Sequence, residues 1–187
     1  MSIVSFSWDK QQPPNIQARA RLKYISELLD LETIGAILPY IDHKGPVSLR
    51  IIEWFVTNFS KLHHPEIYRK YISFRAIWKR PLFDCFARQG PKSARIYLHF
   101  EEKKHPTTVA QLHYLLWAHR NGVLEYCVAH ETAIEDHMVG TLKQNQESKK
   151  LASKLGLEKK RSTLTRVKIE NACVVHTVAT DVKLSSE

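Results

Sequence analysis

The sequence predicts a mainly helical α+β fold, and three observations lead to that class. Thr108 is followed three residues later by Gln111, which is the spacing of a capping box at the start of a helix. Apolar residues then recur at three- and four-residue intervals up to Gly122, where a left-handed helix cap is expected. Segments 94–100 and 163–184 instead have the composition and alternation of strands. We therefore expect a helical body with a central αα-hairpin and a small antiparallel sheet that includes the C-terminal tail.

The apolar positions predict which face of each helix is buried. Asn15 is expected to cap a first helix that runs to about residue 31. Its core face would carry Ile16, Ala20, Tyr24, Leu28 and Leu31. The second helix of the central hairpin would bury one stripe, formed by Leu124, Cys127, Val128, Ile134 and Met138. Residues 101–104, Glu-Glu-Lys-Lys, are predicted to form an exposed tight turn or loop.

Composition divides the chain into four segments. Residues 1–14 end in two prolines and are expected to form an extended arm that carries Trp8. Residues 15–140 form the predicted helical core domain, and residues 141–162 a basic polar helix or linker. Residues 163–187 form the predicted β-rich tail, which could pair with the strand near residues 94–100 or with a neighbouring subunit.

The charge of the chain favours an acidic partner. The chain has 28 Lys and Arg residues against 19 Asp and Glu residues, which gives a formal net charge of +9. The excess lies in segments 50–104 and 141–168, so it could meet a nucleic acid, an anionic membrane surface or another protein's acidic face. With no run of roughly 18 apolar residues, a membrane span is not expected. We expect a soluble protein made in the cytoplasm, with its 3 cysteines reduced and buried.

Basic and aromatic residues alternate along the helix predicted after Glu66, and two interpretations remain open. In a nucleic-acid groove the cations would neutralise phosphates while bases stack on the rings. In an ordinary helix the rings would be core, and the Lys and Arg side chains would extend over it into solvent. The candidate partner-binding residues are Trp8, Arg69, Lys70, Arg75, Lys79, Arg80, Arg88, Lys159, Lys160 and Arg161.

No catalytic or cofactor motif emerges from the sequence. The chain has 10 histidines, and those on the central hairpin could converge on a metal. However, Ile134 stands where the second histidine of a zinc protease motif that begins at His130 should be. There is no glycine-rich phosphate loop, and the chain has only 6 glycines. We therefore predict no catalytic residues, no metal and no cofactor.

Three stretches resemble, in order, a small protein family of nucleocytoplasmic large DNA viruses of the algal-virus and mimivirus type. They are residues 53–61 (EWFVTNFSK), residues 83–88 (FDCFAR) and residues 107–118 (TTVAQLHYLLWA). The family stretches read roughly WFVTNYSKK, FDPFCR and TT-GQLNFFRWA. Within the second stretch this chain has Cys85 where the family tends to have Pro, and Ala87 where it has Cys.

The resemblance implies a viral product, and we expect a minor capsid or other virion structural protein. Such a protein would join a multimeric assembly by docking with other capsid proteins through its extended arms and basic segments. It would be made in the host cytoplasm and end in the virion. The alternative is a nucleic-acid-binding viral factor for late transcription or genome packaging.

Overall fold

The computed structural model describes residues 4–9, 15–86 and 94–154. The chain divides into two compact units, Met1–Thr141 and Leu142–Glu187. The elements in chain order are β1 (Ser5–Trp8), α1 (Ile16–Ser26), α2 (Leu31–Ile41), α3 (Leu49–Trp54), a π-helix (Phe55–Phe59), α4 (Ser60–His63), α5 (Pro65–Leu82), β2 (Arg95–Phe100), β3 (Lys103–Thr108), α6 (Val109–Arg120), α7 (Val123–Ala129) and α8 (Glu131–Lys154). The predicted mainly helical α+β class is confirmed.

Helix α6 is the centre of the first unit. Every residue from Val109 to Ala118 is buried, and the helix contacts α1, α2, α5 and α7. Its start is fixed by Thr108, whose side chain accepts a hydrogen bond from the Gln111 amide at 3.1 Å. Gly122 follows its end with a φ of 67°, in the left-handed region where a side chain is strained. Both boundaries of this helix are those that the sequence predicted.

The sheet of the described residues has the order β1-β2-β3 and is antiparallel throughout. Glu101 and Glu102, with φ of 47° and 61°, form the tight turn between β2 and β3. The sequence did not predict β3, because Pro106 and adjacent lysines are unfavourable in a central strand. Pro106 is tolerated because β3 is an edge strand of the described sheet. On the outer edge of such a strand, a missing N–H removes no hydrogen bond to another strand.

β1 and β3 occupy both edges of β2 in the described part of the chain. The C-terminal tail, predicted to pair with this strand or with a neighbouring subunit, lies outside the described residues, so its pairing stays a prediction. The N-terminal segment is extended, as predicted, but residues 5–8 pair with β2 of the same chain, and Trp8 lies opposite Ile96. This part of the arm is therefore held in the sheet of its own chain.

The predicted core face of the first helix is wrong. Helix α1 ends at Ser26, because Asp30 caps α2 by accepting a hydrogen bond from the Thr33 amide at 2.8 Å. On α1, Ile16 is 86% exposed and Tyr24 is 48% exposed. The buried face is the one with Ala18, Arg21, Leu22 and Ile25, which faces the core around α6.

The second helix of the predicted hairpin is broken at His130, where α7 ends and α8 follows. Four residues of its predicted stripe are buried, whereas Val128 is 45% exposed. Helix α8 extends to Lys154, so the first part of the predicted basic segment is helical. Within the second unit, all residues of α8 whose burial is described are exposed. None of the helices in the described ranges is long and apolar enough to cross a membrane.

Candidate functional site

An open cleft lies between the start of α1 and the end of α5. Its volume is about 830 Å³. The lining combines a cation, two aromatic rings, two amides and aliphatic side chains, namely Asn15, Gln17, Ala20, Arg21, Tyr24, Ile77, Trp78, Pro81 and Leu82. Asn15 also caps α1 by accepting a hydrogen bond from the Ala18 amide at 2.7 Å, which fixes one end of the cleft.

Arg21 lines the cleft although it is only 7% exposed. Its guanidinium carbon lies 3.6 Å from the centroid of the Trp78 ring and 4.6 Å from that of Tyr24. Both rings offer their negative faces to the cation, which partly replaces the water it has lost. Burial lowers the pKa of Arg21 to about 10, so the side chain stays charged at neutral pH.

His113 on α6 holds Arg21 from behind, with Nε of Arg21 3.2 Å from Nδ1 and Nη2 of Arg21 against Nε2. Nδ1 also lies 2.7 Å from the carbonyl oxygen of Leu82, which can only accept. We assign the proton to Nδ1 on this shorter contact, so the Nε–H of Arg21 makes no hydrogen bond to that nitrogen. Nε2 is then free to accept a hydrogen bond from Nη2 of Arg21. Burial, aided by the charge of Arg21, lowers the pKa of His113 to about 4, so the imidazole is neutral.

Among the described residues, no carboxylate forms an ion pair with Arg21. A guanidinium has five N–H donors, and His113 accepts one of them at Nε2. The cleft therefore has at its floor a cation whose charge no acidic side chain of the described chain balances. Such a group favours an anion as ligand.

The residues predicted from sequence to bind a partner are dispersed. Trp8 is half-buried in β1, whereas Arg69, Lys70 and Arg75 are exposed on α5. Lys70 donates a hydrogen bond to the side-chain oxygen of Asn121, and Arg75 donates one to the Tyr71 hydroxyl, at 3.3 Å each. Positions five residues apart on a helix differ by roughly 140°, so Lys70 and Arg75 do not form one patch.

The other predicted site residues are less informative. Lys79 and Arg80 lie in the last turns of α5. Arg88, Lys159, Lys160 and Arg161 fall outside the described residues, so their predicted role stays a prediction.

The second and third of the stretches that carry the viral resemblance pack together at α6. The ring of Phe83 contacts those of Tyr114 and Trp117, with centroids 5.0 and 5.6 Å apart. The Asp84 amide donates to the carbonyl of Ala110 at 3.3 Å, and the Cys85 thiol to the carbonyl of Leu49 at 3.4 Å. These contacts give the stretches a role in building the core.

The cysteine of this region is not placed for nucleophilic chemistry. Burial raises the pKa of the Cys85 thiol well above its usual value, so the thiol stays protonated at neutral pH. A polar cavity of about 20 Å³ lies beside it, lined by Glu53, Tyr71, Arg75, Phe83, Asp84, Cys85 and Tyr114. That volume is enough for a single water molecule.

The hairpin histidines have separate environments. His113 contacts Arg21, His119 lies 3.0 Å from a carboxylate oxygen of Glu125, and His130 stacks on Tyr126. His137 accepts a hydrogen bond from the Trp54 indole at 3.1 Å. In the described ranges, no three His, Cys, Asp or Glu side chains are grouped so that they could hold a metal ion. The convergence considered from the sequence is not found there.

The helical spacing of α1 is compatible with a buried Arg21 but does not single it out. Arg21 lies between Ala18 and Ile25 at helical spacing, on the stripe that packs against the core. The stripe with Ile16, Ala20 and Tyr24, which the sequence predicts as the core face, is the exposed one. An amphipathic helix with apolar residues on two faces offers both choices, and only the tertiary packing decides between them.

Comparison with known proteins places these features in a family. A relative in Acanthamoeba polyphaga mimivirus, "Uncharacterized protein L507", is 25% identical over 168 residues, which cover 79% of this chain. The chain spans 62% of the length of that relative. No solved structure matches the chain. The relative confirms the kinship with a giant-virus protein that the sequence predicted. The model of a protein family described as "Family of unknown function (DUF7197)" matches residues 15–185, which is most of the chain. The chain therefore belongs to this family.

Proposed function

We propose that this chain is a non-catalytic virion structural protein that docks with other capsid proteins. The observation that carries the proposal is the cleft between α1 and α5, which presents Arg21, Trp78 and Tyr24 together. Arg, Trp and Tyr are the side chains that contribute most to binding energy in protein interfaces. The similarity to a giant-virus protein supports a virion as the setting.

The chemistry of the cleft supports binding over catalysis. His113 would be the natural general base, but Nδ1 donates to the Leu82 carbonyl and Nε2 is covered by Arg21. A base must reach the proton that it abstracts, and neither nitrogen is available to a ligand. The cleft can therefore hold and orient an anionic group, which is what a docking surface requires.

The location can be tested on purified particles of a virus that encodes this chain. Stepwise disassembly followed by quantitative mass spectrometry should recover the protein with the capsid shell, in a fixed ratio to the major capsid protein. Cross-linking should then connect α1 or α5 to another shell protein. Absence from the particles, or release only after nuclease digestion of the genome, would contradict the proposal.

A nucleic-acid-binding role is the second candidate, and the exposed cations of α5 favour it. Fluorescence anisotropy with duplex and single-stranded DNA at several salt concentrations separates the two functions. A dissociation constant of about 10 nM or tighter at physiological salt would establish a DNA-binding factor. Binding in the roughly micromolar range that vanishes as salt rises is the non-specific attraction that any basic surface shows. The dispersion of Lys70 and Arg75 on α5 leads us to expect the second result.

A further inference from the structure

The outer face of α1 carries an exposed apolar stripe. Ile16, Ala20 and Tyr24 recur every four residues, so they lie on one stripe of the helix. Ile16 is 86% exposed and Tyr24 is 48% exposed. On the other wall of the cleft, Ile77 of α5 is 67% exposed. An apolar rim, formed by Ala20 and Tyr24 on α1 and Ile77 on α5, therefore flanks the cleft whose floor carries Arg21. Ile16 extends the same stripe of α1 beyond the cleft lining.

The two helices that form the cleft carry mostly basic residues. Helix α1 carries three basic residues and no acidic one, and α5 carries five basic residues and a single acid, Glu66. Arg21 is buried at the junction without a carboxylate partner in the described part of the chain. The surface is thus complementary to a ligand with both apolar side chains and negative charge.

We infer that the cleft binds a partner-protein segment that presents apolar side chains beside a carboxylate, and that this carboxylate pairs with Arg21. The apolar side chains lie along the stripe of Ile16, Ala20 and Tyr24 and against Ile77. The planar guanidinium, fixed between two rings and His113, suits a carboxylate in a two-point hydrogen bond. This inference rests on the proposed docking function and names the chemistry of the docked segment.

A peptide rather than a small phosphate compound fits the geometry. The cleft is open, with Ile77 and Tyr24 both substantially exposed, and its volume of about 830 Å³ far exceeds that of an isolated oxyanion. Small-molecule sites usually enclose most of the ligand. An amphipathic segment laid into an apolar groove needs no such enclosure.

The test uses the purified full chain and a pair of short fluorescein-labelled peptides. In one, leucine and phenylalanine recur at helical spacing beside glutamates, and in its twin glutamine replaces every glutamate. At an ionic strength of about 0.15 M, anisotropy should show that the glutamate peptide binds at least about tenfold more tightly than its twin. Equal binding of the twins, or no binding of either, overturns the inference.

Two single variants test whether Arg21 recognises the negative charge of the peptide. Arg21→Met should weaken binding of the glutamate peptide by roughly 30-fold or more and make the twins equivalent. Lys23→Met is the matched control, because it removes the same charge from an exposed site on the same helix and should change affinity less than about twofold. Equal losses from the two variants would show general attraction to a basic surface and refute a specific site.

The exposed rim provides a test that does not depend on the buried arginine. Ile77→Ser changes an exposed residue and should weaken both peptides about equally, by roughly fivefold. An unchanged affinity would mean that the peptide binds elsewhere. Inorganic phosphate and AMP are tested as competitors. If either displaces the peptide at a concentration below the dissociation constant of the peptide, the cleft is a site for a small phosphate compound instead. If neither peptide binds but the protein is found in the capsid shell, the inference about this cleft is wrong and the proposed function remains supported.

Discussion

Acid should destabilise the fold through His113, and the size of the effect follows from its environment. The unfolded chain binds a proton at His113 with a pKa near 6.5, whereas burial lowers the pKa in the folded chain to about 4. Between these values the unfolded state carries more protons, so the free energy of unfolding falls as the pH falls from about 6.5 to about 4. The full difference corresponds to about 3 kcal/mol, of which about 2.5 kcal/mol is lost by pH 4.5.

The contribution of His113 can be isolated with His113→Gln. Glutamine does not titrate, yet its amide can donate to the Leu82 carbonyl and its oxygen can accept from Arg21. Urea denaturation at about pH 7 and pH 4.5 should show that the parent loses about 2 kcal/mol more than the variant. Other titrating groups affect both proteins alike and cancel in this comparison. Equal losses in the two proteins would refute the assignment of a neutral, buried imidazole.

Three further predictions concern backbone conformation, a helix cap and the buried thiols. Gly122→Ala should destabilise the fold by about 1 kcal/mol because a side chain is strained at a φ of 67°. Gly35→Ala in α2 should instead stabilise the fold by about 0.5–1 kcal/mol, because the added methyl group meets no other atom and alanine favours a helix. The midpoints of urea denaturation of both variants test these two changes. Thr108→Ala should cost about 1 kcal/mol in the same assay, since the amide of Gln111 loses its acceptor, and an unchanged midpoint would exclude the cap. Cys85 and Cys127 should resist iodoacetamide in the native state at neutral pH, as seen by peptide mass spectrometry, because burial raises the pKa of both thiols; modification as fast as in urea would contradict this.

The parts of the fold that the sequence predicted are those with strong local signals. The capping threonine, the left-handed Gly122 and the strand at Arg95–Phe100 depend on residues close in sequence, and all were placed correctly. Strand β3 was missed because its composition is unfavourable and only pairing with β2 makes it a strand. Pairing is a long-range property, which periodicity within a short window does not contain.

The cleft could not be predicted for a related reason. Arg21 and His113 are 92 residues apart, and their contact exists only because α1 packs on α6. From the sequence, an arginine among apolar residues indicates a surface position, since arginine is rarely buried unless it is paired. His113 was considered as a metal ligand, which is the usual reason to examine a histidine on an apolar helix. In the structure, His113 is instead a neutral imidazole that accepts a hydrogen bond from the buried guanidinium of Arg21.

The pair formed by Arg21 and His113 also offers a way to separate folding from docking. Arg21→Met alone leaves Nε2 of His113 buried without a partner and should cost about 1–3 kcal/mol of stability. The double variant Arg21→Met with His113→Leu removes the cation and the unpaired nitrogen together. Replacing buried charged groups by apolar ones often leaves stability unchanged or raises it. Urea denaturation should therefore find the double variant at least as stable as the single one, while the glutamate peptide still binds it as weakly as it binds the single variant. A double variant that is several kcal/mol less stable than the single one would show that the pair serves the fold itself.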